Sequence, residues 1–91
     1  MIYNYEEYKP NLLDKEELRH FLKVRDIVKD EIDSVGMMVM GAVMIRACGD
    51  ILKTMACVEM LVEIGEIIET TQKSETWAQE REFIRNNFKI T

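Results

Sequence analysis

A single proline, Pro10, and a single histidine, His20, are all that this 91-residue chain holds of either residue. The lone proline leaves every position after residue 10 open to helix. The lone histidine has no serine or cysteine placed beside it as a nucleophile, and the chain also lacks a nucleophile elbow, a zinc-type Cys/His spacing and a dinucleotide fingerprint. Nucleophilic and cofactor-dependent catalysis are therefore not expected. Basic residues do not cluster, and the net charge is −5, which argues against a general binder of nucleic acid or of anionic membranes. The longest apolar run, residues 35–45, is too short to span a bilayer and is followed closely by Arg46, Asp50 and Lys53. No basic leader precedes an apolar run and a cleavage site, so a cytoplasmic location is expected.

What the chain has is helical periodicity. From Val35 to Thr71 no proline intervenes and apolar residues recur every three or four positions, which predicts one long helix. At about 100° per residue, with Arg46 at zero, Met40, Met44, Ile51, Met55 and Val58 lie near roughly 150°. Beyond residue 60 the stripe swaps sides, with Leu61, Ile64, Ile67 and Ile68 near roughly 10°. Lys53 to Glu59 contains no glycine, proline or asparagine, so the swap is read as one continuous helix packing against two neighbours. Such a helix is on the order of 54 Å long, against roughly 30 Å for a compact domain of this size, and this overhang argues for a second copy.

Residues 1–12 form an arm carrying Tyr3, Tyr5 and Tyr8, read as a lid across a helix pair or as an aromatic contact patch. Asp14 and Glu17 resemble a capping box that starts a helix over 14–33, with Leu18, Phe21, Leu22, Val28 and Ile32 on its buried stripe. Asp33-Ser34-Val35-Gly36 reverses the chain, and Ser74 is an N-cap for a third helix over 75–88. The expected fold class is all-α: three helices with a long central one, completed as a helical bundle by homodimerisation, in a single domain over 1–91.

Four constellations offer chemistry. Glu17-Leu-Arg-His20 has the Glu-x-x-His spacing of di-iron bundles, but with one histidine and Glu17 engaged in capping, no metal or cofactor is assigned. Arg46, Asp50 and Lys53 share one face as an ion-pair ladder or, beside the small residues Ala47, Cys48 and Gly49, as a phosphate or carboxylate pocket. Glu59, Glu63, Glu66 and Glu69 form an acidic row, either solvated or poised to dock on a basic surface. Within it, Glu63-Ile-Gly-Glu66 resembles the Glu-x-x-Glu element of all-α nucleotide pyrophosphohydrolases, whose second acidic motif on a following helix is missing here, so membership is not assigned. Methionines at 37, 38, 40, 44, 55 and 60 fill a core or an interface. Cys48 and Cys57 lie on opposite sides of the expected helix, about 13 Å apart along it, beyond disulfide reach and expected to be reduced and buried.

The expected function is a non-enzymatic protein-interaction module: an acidic inhibitor or adaptor of the kind mobile elements and phages encode. It would bind a second copy of itself and another protein with a basic surface through Glu59, Glu63, Glu66, Glu69, Tyr3, Tyr5 and Tyr8. The alternative is a small-ligand binder for nucleotides, using Arg46, Asp50 and Lys53 at a subunit junction.

Overall fold

The computed structural model describes residues 4–71 and 78–87. Its longest element is α2, Lys15–Val35, which starts where the sequence indicates: Asp14 Oδ1 accepts from the backbone N–H of Glu16 and Glu17 at 2.9 and 3.1 Å. It ends at Gly36, whose φ of 90° is the left-handed conformation that glycine adopts without Cβ strain and whose N–H closes on Ile32 O at 2.7 Å. The buried side of α2 is formed by Phe21, Val24, Ile27, Val28 and Ile32. Leu22, expected on that side, is instead 43 % exposed.

The all-α bundle is not what forms. Among the described residues there are four α-helices and a three-stranded antiparallel sheet in the order β1-β3-β2. The long helix expected over 35–71 is cut twice. After β1, Met38–Val39, come α3, Met40–Ala47, and α4, Ile51–Glu63, and then β2, Ile67–Glu69. The break between α3 and α4 lies at Cys48-Gly49-Asp50, upstream of the glycine-free stretch from Lys53 to Glu59. Cys48 takes a φ of 52°, and Asp50 caps α4 by accepting from Leu52 N and Lys53 N at 3.0 and 3.1 Å. Gly65, at a φ of 84°, ends the helical path, and the β-branched pair Ile67-Ile68 continues as strand. The stripe that swaps sides is thus a change of element rather than of neighbour.

The third helix expected over 75–88 is also replaced in its described part: Ala78–Glu80 is a 3-10 turn and Glu82–Arg85 is β3. As the central strand, β3 pairs Met38 with Phe83 on one side and Ile68 with Ile84 on the other. Phe83 points from it into the core and is 0 % exposed. Expected helix residues 75–77 and 88, with Ser74 as cap, lie outside the described residues. The short α1, Tyr5–Tyr8, packs on α4.

Met38, Met40, Val43, Met55, Val58 and Leu61 join Phe83 and the α2 stripe in one core. The molecule measures 34 × 30 × 23 Å, so no rod of about 54 Å overhangs it, and the geometric reason for a second copy is gone. Cys48 is exposed rather than buried, while Cys57 is buried as expected; both are free. No helix among the described residues is long and apolar enough to cross a membrane.

Candidate interaction site

The acidic row is taken up inside the fold. Glu69 accepts a two-pronged bond from Arg81, Nε to Oε2 at 2.8 Å and Nη2 to Oε1 at 2.7 Å. Glu59 forms an ion pair with the same Nη2. The side chains of Arg81, Glu59 and Glu69 are only 16, 22 and 9 % exposed. The Glu69 hydrogen bonds raise the Arg81 pKa, outweighing burial, and Glu59 adds to the rise. Arg81 also stacks on the Phe83 ring, 5.3 Å from its centroid.

The other two members are paired as well. Arg25, from α2, grips Glu66 through Nε and Nη2 at 2.8–3.1 Å, and that hydrogen bonding raises the arginine's pKa. Glu63 accepts from Tyr5 Oη at 2.5 Å and from Lys9 Nζ at 3.2 Å, which together lower its pKa, the tyrosine contributing most. Thus α1 is fastened to α4 through the row, and Tyr5 packs at the edge of the core. Tyr8 faces a separate cleft, and Tyr3 lies outside the described residues.

Arg46, Asp50 and Lys53 are not brought together as one group. Arg46 pairs with Asp30 at 2.8 Å and Glu31 at 3.1 Å, which raise its pKa in that order. Lys53 and Asp50 instead flank His20, at the other end of α2; Asp30 is ten residues on from His20, about 15 Å along the helix. Here the first turns of α2 and α4 border a cleft of about 400 Å³, lined by Tyr8, Glu17, His20, Asp50, Lys53 and Cys57 among others. His20 Nε2 lies 3.4 Å from Thr54 Oγ1. Burial, then Lys23 and Lys53, lower the His20 pKa against the opposing pull of Asp50, so the ring is neutral at pH 7. Burial, aided by Glu17, pushes the Cys57 thiol up to about 12, so it stays protonated at neutral pH. Among the described residues no group of three or more His, Cys, Asp or Glu side chains is arranged to hold a metal ion.

Val35, Ile45, Ile51 and Ile64 are exposed singly along the chain, whereas three exposed leucines, Leu12, Leu13 and Leu22, fall within eleven residues at the start of α2. Asn11, Leu12 and Leu13 form a fixed turn: Asp14 N donates to Asn11 O at 3.0 Å, Leu13 N to Asn11 Oδ1 at 3.1 Å and Asn11 N to Glu17 Oε1 at 3.2 Å. Leu13 occupies the position from which a hydrophobic staple would close on Leu18. It does not close, because Leu13 is 95 % exposed. The outward side of α2, which this turn leads into, carries a shallow groove of about 330 Å³ lined by Lys15, Leu18, Arg19 and Leu22. Sequence periodicity placed Leu18 and Leu22 in the core. The readable signal was the staple position of Leu13, a leucine directly before a capped helix. No family model, curated protein or solved structure matches the chain.

Proposed function

We propose that this protein acts by binding another protein rather than by catalysis, and that it docks through the start of α2 rather than through the acidic row. The observation that carries this reading is the held-out Leu12-Leu13 turn. Two leucines at 41 and 95 % exposure are held by side-chain and backbone hydrogen bonds in the turn that leads into the helix whose groove Leu18 and Leu22 line. A rigid apolar tip loses little conformational freedom on binding, which is the property of an anchor residue in an interface. The acidic row is a poor competitor for the role, because each of its four carboxylates already has an internal cation.

The test is site-specific photo-crosslinking in the native host, with the reactive group placed at position 13, 22 or 63. Adducts of one size are expected from 13 and 22, competed by unlabelled wild-type protein and not by unlabelled Leu22→Ser. Adducts from position 63 alone, or from none of the three, would sink the reading. The second reading, a small-ligand binder, is favoured only by the cleft beside Lys53 and His20. Calorimetry with nucleotides should then show heat that Lys53→Ala abolishes and Arg46→Ala leaves in place.

A further inference from the structure

We infer that the outward face of α2 receives an acidic amphipathic helix from a partner protein, its apolar side chains resting on Leu18 and Leu22 and its carboxylates meeting Lys15, Arg19 and Lys29. This rests on the docking reading above and gives the partner its chemistry.

The face is longer than the first groove. Leu18, Leu22, Arg25 and Lys29 recur at spacings of four, three and four, so they form one stripe along the helix. The stripe runs from the groove at Lys15 and Leu22 into a second cleft of about 350 Å³, where Arg25, Lys29 and Ile32 face Ile67 of β2 and Arg85 of β3. From residue 15 to residue 33 this track extends about 27 Å, the length of a helix of about 18 residues.

Charge chooses the occupant. Lys15, Arg19 and Lys29 make no ion pair among the described residues, whereas Arg25 and Arg85 in the same track are matched by Glu66 and Asp33. Glu16 and Asp26 are exposed carboxylates of α2 near these cations that also make no ion pair, so three free cations against two free carboxylates leave the track a small positive excess on a chain of net charge −5. An acidic partner is repelled by the molecule as a whole and attracted here, which fixes both where and how it docks. The apolar members decide among polyanions. Phosphates have no use for Leu18 and Leu22, whereas a helix with leucines every three or four residues fills that groove with the pattern it was built on. Acidic side chains flanking that stripe would then fall opposite the three lysine and arginine heads.

The experiment is calorimetry on the full chain with two peptides of about 18 residues, sharing one leucine stripe and flanked by glutamates in one and lysines in the other. Phosphatidylserine vesicles and duplex DNA complete the panel. The glutamate peptide should bind and the lysine peptide should not. Arg19→Glu and Lys29→Glu should each weaken binding about tenfold, with the helical circular dichroism unchanged. Leu22→Ser should weaken it comparably. Equal binding of both peptides, no binding of the glutamate peptide, or tighter binding of vesicles or DNA would each overturn the inference. Crosslinks at 13 and 22 that persist while the glutamate peptide fails would overturn this partner chemistry and leave the docking reading standing; loss of both would remove the two together.

Discussion

Arg81 balances two carboxylates in a setting with little water, and its removal is the residue-level change with the largest expected cost. Arg81→Leu would leave Glu59 and Glu69 side by side without a counter-charge, a change of about 3–5 kcal/mol read as a lower urea midpoint. Arg81→Lys, which keeps the charge but loses the fork, should recover only part of that. A loss below about 1 kcal/mol for Arg81→Leu would mean the triad is solvated rather than structural. His20 and Cys57 give opposite pH signatures. The folded His20 pKa lies below the ordinary 6.5, so on acidification the unfolded chain takes up its proton first. Stability is therefore lost as pH falls through 6.5 toward the folded value, and His20→Gln should flatten that part of the profile. Cys57 is raised from 9.0 to about 12, so between those values the unfolded thiol ionises and the native one does not. Stability should fall with rising pH above 9, by up to about 1.4 kcal/mol per pH unit, and Cys57→Ala should remove that component of the alkaline limb. A thiol reagent should label exposed Cys48 and spare Cys57 in the native protein.

Among elements, α2 was legible and the rest of the chain only partly so. Asp14 and Glu17 announce the start of α2 in the sequence, and Gly36 its stop, because capping is local chemistry. The division of residues 35–71 was not legible from periodicity, since Met40, Met44, Ile51, Met55 and Val58 keep a helical rhythm on both sides of a three-residue break. Gly49-Asp50 carries the needed signal, a turn residue followed by an N-cap, but Asp50 fits an ion-pair face with Arg46 and Lys53 equally well. Ile67 and Ile68 fit a helical stripe and a strand equally well until β3 is there to pair with them. That pairing is non-local, as is the one between Arg81 and the acidic row, and no spacing rule reaches across it. Asp50→Ala should therefore cost about 1 kcal/mol through the lost cap on α4. Gly41→Ala should cost about 1–3 kcal/mol, because a Cβ there would stand 2.9 Å from the backbone oxygen of Gln79 in the 3-10 turn. Thermal melts of the two variants measure both, and a neutral Gly41→Ala would show that α3 and the turn can move apart.

At the scale of the whole molecule, the acidic excess and the interaction surface part company. The net charge of −5 suggested a partner with a basic surface, and the row from Glu59 to Glu69 supplied an address for it. In the fold Glu63 ties the α1 region and Glu59 ties Arg81 to α4, Glu66 ties α2 to the turn before β2 and Glu69 ties β2 to Arg81, while the unpaired cations Lys15, Arg19 and Lys29 lie on the outward side of α2 with Leu18 and Leu22. Charge reversal at Glu63 should accordingly loosen α1, seen as faster amide exchange over 5–8, with little effect on partner binding. The most direct measurement is a ¹H–¹⁵N correlation spectrum of the full chain titrated with the glutamate-flanked helical peptide. Shifts confined to residues 12–33 and the facing residues of β2 and β3 are the expected result. Shifts centred on the exposed sides of Glu59, Glu63 and Glu66, or none at all at saturating peptide, would contradict it.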